Sequence, residues 1–441
     1  MLEFHDITPE SAGQLRKYYE RCNYGLCEYS VGIKLMWKHY LHPVYTEASG
    51  CLIVRNRIHG AYTFDYPVAG PDGNIEAALT EIERDCMDRG MELTFSVVPE
   101  SAITNIIGRY PYMHISNVGA WKDYIYAVQD LSSFSGRHYA GQRNHIHKFQ
   151  KYYPEAFFRP LSGQDRESIE AFWREFEHTF SKSSNQSALT ELGYAEELFR
   201  QYDKPWFCCG GVEYGGKLIA IALGEYCGDT LLIHIEKGLR EYPGVYPYIV
   251  NQFAQHFQSP QLRYINREDD ASDAGLRVSK RQYLPIGRGA KYRFHIYTEL
   301  DQMTERPILH SEHLQYSFQE QTNQADNIQP KDLSKTYEPA KKSSVCFTVR
   351  QGLRPIASCT LSHFDFRGGV ELSFNIQELQ GDWPLLEEAV ATVANWALYQ
   401  LHLDVIRTKC PQSEKGWYNI LNNCFHLIGT DDAFFYFEKQ I

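Results

Sequence analysis

The sequence predicts an α/β (α+β) chain built of mixed, mainly antiparallel sheets flanked by helices, and three observations carry that reading. Short β-rich segments lead into a helix, a strand, a helix and a strand; that order comes three times; and 441 residues exceed what one hydrophobic core serves, since single domains mostly hold roughly 100–200 residues. Apolar residues make up 43% and charged residues 22%, and with 31 Tyr this composition excludes a disordered chain.

In the first copy, strands are expected at 51–55 and 61–64. A helix over 75–89 follows from the spacing of Ile75, Leu79, Ile82 and Cys86, with Gly90 as its C-cap. A strand at 91–98 stops at Pro99, and a short helix at 103–109 and a strand at 121–128 complete the series. The second copy opens with helices at 164–179 and 191–202, then strands at 206–213, 217–226 and 230–237, with Gly215 and Gly216 at the first turn. A helix at 245–257, a strand at 262–266, a helix at 273–281 and a strand at 291–297 follow. The third copy has strands at 345–349, 355–364 and 370–376, a helix at 385–401, a strand at 404–409, a helix at 415–424 and a strand at 433–437. The polar segment 305–342 marks a linker, so the expected domains are 1–130, 131–299 and 300–441. This order resembles that of the GNAT acyltransferase fold, here in tandem.

The net charge of −11 argues against indiscriminate binding to DNA or an anionic membrane, and gives local basic clusters more meaning. No export signal and no run of roughly 18 apolar residues is present, and eleven scattered Cys read as reduced thiols, so a cytoplasmic protein without a transmembrane segment is expected. No metal is expected. His145 and His147 lack further ligands at a workable spacing, and Cys208 and Cys209 are adjacent. Triphosphatase and serine-hydrolase motifs are absent.

The stretch 264–283 concentrates the chemistry. A strand runs into Arg267, Glu268, Asp269 and Asp270, and Asp273 stands where it caps the next helix. There Arg277, Lys280 and Arg281 fall at i, i+3 and i+4 and share a face, and Arg288, Lys291 and Arg293 continue the cluster. A carboxylate at a strand end can take a proton from an attacking amine or hydroxyl, while cations beside it hold a phosphate-bearing substrate. The competing reading is a solvated acidic turn paired to its own helix. The strand-to-helix junction favours a site.

A second basic cluster spans 135–153. A helix from about 141 puts Arg143, His147 and Lys151 on one stripe, Asn144 and Lys148 beside it, and Phe149 toward the core. It suits phosphate contact, or alternatively a solvated connector between domains. A Gly-rich phosphate loop for a CoA-type donor is not evident: residues 242–247 and 381–384 each offer one Gly among Pro residues that lack an N–H.

Asn266, Arg267, Glu268, Asp269, Asp270, Asp273, Gly275, Arg277, Lys280, Tyr283, Pro285 and Lys291, with Arg137, Tyr139, Arg143, Asn144, His145 and Lys148, resemble the motifs of the phosphatidylglycerol lysyltransferase C-terminal-like family over about residues 1–297. The resemblance implies tandem GNAT folds, similar to the Fem-type peptidyl aminoacyltransferases, that move an aminoacyl group from aminoacyl-tRNA to a lipid hydroxyl or an amine. Residues 300–441 resemble a further GNAT module of the ribosomal-protein acetyltransferase type, except where the donor should bind, at Gly381, Asp382, Trp383 and Pro384.

The expected activity is therefore acyl or aminoacyl transfer by direct attack, with aminoacyl-tRNA as donor and a lipid headgroup or an amine as acceptor. Glu268 or Asp269 is the expected base. Arg137, Arg143, Asn144, Lys148, Asn266, Arg267, Asp273, Arg277, Lys280, Tyr283 and Lys291 are the expected substrate-binding residues. The alternatives are an N-acetyltransferase using acyl-CoA and a catalytically degenerate GNAT-fold binding protein.

Overall fold

The computed structural model describes residues 1–58, 60–110, 113–117, 119–180, 186–297, 311–318, 345–352, 354–362, 369–376, 382–399, 403 and 405–440. The expected boundary near 300, most of the polar segment 305–342, and Gly381 lie outside them. Two compact units divide the chain: residues 1–91 with 120–289, and residues 92–119 with 290–441.

The first unit opens with short helices, Ala12–Tyr19, Val31–Met36 and Lys38–Leu41, and an antiparallel set of strands, Val44–Ala48, Cys51–Ile58 and Ala61–Asp65. The helix Ile75–Arg89 follows the expected spacing: Leu79 and Ile82 are fully buried, Asn74 caps its start, and Gly90 ends it in the left-handed region. The same unit holds a seven-stranded sheet in the order Gly287–Gly289, Asp123–Ala127, Tyr264–Asn266, Thr230–Gly238, Lys217–Cys227, Phe207–Tyr214, Phe157–Pro160. The last four form an antiparallel meander. Thr230–Gly238 and Tyr264–Asn266 are parallel, joined by the crossover helix Val245–Phe257, whose Ile249, Val250 and Phe253 are buried. The parallel pairing stops at Leu232 and Asn266, and beyond that point the two strands part.

The second unit repeats this plan. Its C-terminal sheet runs Gln315–Phe318, Val345–Gln351, Arg354–Ser362, Gly369–Ile376, Val405–Pro411, Phe434–Gln440, His426–Thr430, and its parallel pair, Gly369–Ile376 with Val405–Pro411, again follows a meander and a crossover helix, Trp383–Tyr399. That helix is apolar around most of its surface, with Leu386, Ala389, Val390, Val393 and Ala397 fully buried. The recurring meander, helix and parallel strand is the GNAT-like α+β arrangement.

Two strands depart from the expected grouping. The segment expected to close the first copy, Asp123–Ala127, pairs with Tyr264–Asn266 and Gly287–Gly289 of the second copy's sheet. Conversely Lys291–Ile296, expected to close the second copy, pairs with Leu93–Pro99 and Met113–Ser116 of the first. Element order along a chain does not say which sheet edge a strand joins.

Candidate active site

The site lies where the two parallel strands part. On the Thr230–Gly238 strand, Leu223 faces Ile235 while Gly224 faces Ile233, so His234 is the extra residue of a β-bulge. A Cβ at Gly224 would lie 2.6 Å from the carbonyl oxygen of Leu232, so the bulge requires glycine there. Both ring nitrogens of the bulged His234 meet carboxylates: Nδ1 is 2.8 Å from Glu268 Oε1, and Nε2 is 3.4 Å from Glu225 Oε2.

Glu225 is fully buried, and the backbone N–H groups of Val31 and Gly32 donate to it at 3.1 and 2.8 Å, with Arg16 3.6 Å away. Gly32 lies flush on the imidazole: a Cβ there would stand 2.3 Å from Nε2. Burial alone would lower the basicity of His234, but the two carboxylates outweigh it and lift its pKa to about 9. His234 is therefore an imidazolium at neutral pH and donates from both nitrogens. Burial pushes the Glu268 carboxyl above its ordinary range, against the opposing pull of His234 and Lys280.

Glu268 sits at φ 58°, in the left-handed region that non-glycine residues seldom occupy. Asn266 holds it there: its Oδ1 accepts the Glu268 N–H at 2.7 Å, while its Nδ2 donates to Asp123 at 2.7 Å and to the Gly25 carbonyl at 2.8 Å. Adjacent residues of an extended strand point to opposite faces. The turn at Glu268 instead lets neighbours 267 and 268 both reach the opposite strand, where Glu236 and His234 receive them.

Arg267 is buried, donates from Nη2 to Glu236 at 2.7 Å and stacks 4.4 Å above the Tyr283 ring; its Nη1 has no acceptor among the described residues. Lys280 Nζ donates to the carbonyls of Arg267, at 2.6 Å, and Asp269. Burial holds its pKa below the ordinary lysine value. A carboxylate with a raised pKa thus stands against a fixed imidazolium, with Lys280 acting on it electrostatically, an arrangement suited to taking a proton from an incoming nucleophile.

The family model for phosphatidylglycerol lysyltransferase, C-terminal, matches residues 19–295. The chain belongs to this family. No curated protein matches it. Among solved structures it is similar to a conserved protein of unknown function from Bacteroides thetaiotaomicron VPI-5482, at 23% identity and a TM-score of 0.60, over 67% of this chain and 100% of that one. It is also similar to L-PGS from Bacillus licheniformis, at 13% identity and a TM-score of 0.48, over 67% and 94%. The first likeness shows the shared fold. The family's namesake reaction is an acyl transfer, and the chain is an acyltransferase-type enzyme of that family.

The site of this lysyltransferase-family chain gathers some of the expected residues and disperses others. Glu268, Asn266, Arg267, Lys280 and Tyr283 come together, with Tyr283 buried beneath the Arg267 guanidinium. Arg277 is committed to Asp270, whose two oxygens it meets at 3.1 Å each; Tyr124 adds a 2.7 Å bond, and Asp270 is held below the usual carboxylate range by these partners despite its burial. Asp269 accepts the Ala271 N–H at 2.9 Å, and Asp273 caps its helix through the Leu276 N–H at 2.7 Å.

Arg143 points at the carbonyls of Phe134 and Gly136, closing the turn after the helix Val128–Ser133. Arg137, Asn144 and Lys148 are exposed on or beside the helix Ala140–Tyr152. That helix is tied to the end of the 264–283 stretch, since Tyr139 and Gln142 donate to the carbonyls of Tyr283 and Gln282 at 3.1 and 3.3 Å. Lys291 belongs to the second unit, buried in a strand. Sequence reasoning missed Glu225, His234 and Glu236, although a charged residue inside the apolar runs 218–225 and 231–236 was a usable signal.

No helix among the described residues is long and apolar enough to cross a membrane. The potential metal-ligand group found among them, Cys27, Glu28 and Asp123, has Asp123 engaged by the Cys27 N–H at 2.8 Å and by Asn266.

Proposed function

We propose that this chain transfers an aminoacyl group from aminoacyl-tRNA to a lipid or amine acceptor by direct attack, with Glu268 as the general base. The observation that carries this reading is the Glu225–His234–Glu268 relay at the parting of the parallel strands. Two backbone N–H groups fix Glu225, Glu225 and Glu268 fix the imidazolium, and the imidazolium holds one oxygen of Glu268, whose carboxylate would receive the proton of the attacking amine or hydroxyl. Asp269, engaged with its own turn, is the weaker candidate.

Arg267 and Lys280 supply positive charge next to the reacting atoms. The exposed Arg137, Asn144 and Lys148 are proposed to meet the phosphates of the donor. Three modules, 1–130, 131–299 and 300–441, with the closing strands of the first two exchanged, remain the proposed organisation.

The test is transfer of labelled amino acid from charged tRNA, by the full chain, to phosphatidylglycerol vesicles or to a soluble amine, with acetyl-CoA as the competing donor. Glu268→Gln should lower the rate by roughly 10²–10⁴ while leaving tRNA affinity unchanged. Acyl transfer from acetyl-CoA alone would overturn the choice of donor, and an undiminished rate in the variant would overturn the base.

A further inference from the structure

The helix Val31–Met36 meets the relay at its first turn and a buried carboxylate with its second. Val31 and Gly32 give their N–H groups to Glu225, and Gly32 lies flush on the His234 imidazole. The Gly32 N–H donates to Glu225 Oε2, the same oxygen that meets His234 Nε2, so any displacement of the helix is felt at the imidazole. Six residues make fewer than two turns, too short a helix to hold its place by its own hydrogen bonds. All six are buried, Val31, Ile33, Leu35 and Met36 among them, but apolar burial is non-directional and leaves rotation and sliding of so short a helix weakly determined.

Lys34 supplies the missing direction. Standing two residues after Gly32, it leaves the helix roughly 200° further round, on the side away from the imidazole. Its side chain is 1% exposed, and its ammonium meets Asp65 Oδ2 at 2.5 Å. Asp65 is buried as well, and Asn56 Nδ2 donates to its other oxygen at 2.8 Å. Asp65 ends the strand Ala61–Asp65 and Asn56 lies in Cys51–Ile58, two strands joined in an antiparallel ladder, so the carboxylate is fixed to the sheet. A buried ion pair gains little net stability over apolar residues, because both ions have left water, yet it closes at one angle and one depth only, which suits it to setting a register.

We propose that Lys34 is a positioning residue for the relay: paired with Asp65, it fixes the rotation and depth of the helix Val31–Met36, and with them the place where the Val31 and Gly32 N–H groups hold Glu225 against His234. Its consequence for turnover rests on the acyl-transfer reading above, whereas its consequence for the imidazole does not. The charged groups about that imidazole are Glu225 and Glu268, with Arg16 beside the first and Lys280 acting on the second.

The test uses the full chain carrying Lys34→Met together with Asp65→Asn, which removes the link, leaves no buried charge unpaired and keeps an acceptor for Asn56. Thermal unfolding should stay close to that of the natural chain, since both members of the pair are neutralised at once. The His234 imidazole is followed by NMR in histidine-labelled protein, its resonance assigned by its loss in His234→Gln. In the natural chain the two carboxylates hold it to about 9, and in the double variant it should titrate nearer the ordinary 6.5, because Glu225 has lost its fixed place. Transfer from charged tRNA should fall at least roughly tenfold in kcat with KM little changed, as expected when the proton-accepting step and not binding is disturbed. Where the double variant does not fold, Asn56→Val decides in its place: it keeps the ion pair but releases Asp65 from Asn56, and should move the same titration in the same direction by less. An imidazole that titrates as in the natural chain, in the folded double variant or in Asn56→Val where that variant alone folds, overturns the proposal. A lowered titration with undiminished transfer upholds the positioning and counts instead against Glu268 as the base.

Discussion

The proton on His234 ties stability to pH in a direction fixed by its neighbours. The folded chain holds it to about 9 against an ordinary 6.5, so the stability it contributes is complete below about pH 6.5 and is lost as pH rises through 9. That interval corresponds to on the order of 3 kcal/mol. Urea unfolding followed across this range should show the decline in the natural chain, and His234→Gln should flatten it. Gly32→Ala should act on the same residue from outside: its methyl would press on Nε2, costing roughly 1–3 kcal/mol of stability and separating the imidazole from Glu225. Its activity should fall further than its melting temperature predicts, and parallel measurement of the two will show whether it does. At this scale the sequence was half legible. Three carboxylates in a row drew attention to Glu268, but consecutive residues do not reveal which one twists into the left-handed region, nor that Asp270 and Arg277 are spent on each other.

Among elements, the bulge in Thr230–Gly238 and the early end of its parallel pairing decide what the site can be. A regular ladder would carry His234 out of reach of one of its two carboxylates, because side chains alternate faces along a strand. Gly224→Ala should therefore remove most activity: its Cβ collides with the Leu232 carbonyl, and relief comes by closing the bulge. Circular dichroism should show the sheet retained, while the Glu268-dependent rate falls at least roughly tenfold. Helices and strands were readable, since apolar periodicity and the capping residues Gly90 and Asp273 mark them locally. The bulge was not readable. Leu231, Leu232, Ile233, His234 and Ile235 form an apolar run in which one extra residue leaves no trace until its partner strand is known.

In the whole molecule, the pairings of the strands Asp123–Ala127 and Lys291–Ile296 mean that a cut near residue 130, between the first two proposed modules, separates each of these strands from its partners. Residues 1–130 expressed alone should fail to fold cooperatively, having lost the partners of Asp123–Ala127, whereas 1–297 retains every pairing of those two strands. Thermal unfolding of the two fragments, one broad and one sigmoidal, is the expected outcome. The threefold order of elements was visible because periodicity is local, whereas the exchange depends on edge pairing between segments far apart in sequence. The bond from Asn266 to the carbonyl of Gly25 spans 241 residues, and it is one of the contacts that hold Glu268 in place. Closing so long a loop is entropically late. On refolding, helical signal should return first and catalytic turnover last, so the rate at which activity reappears times the arrival of residue 25 beneath the turn at Glu268.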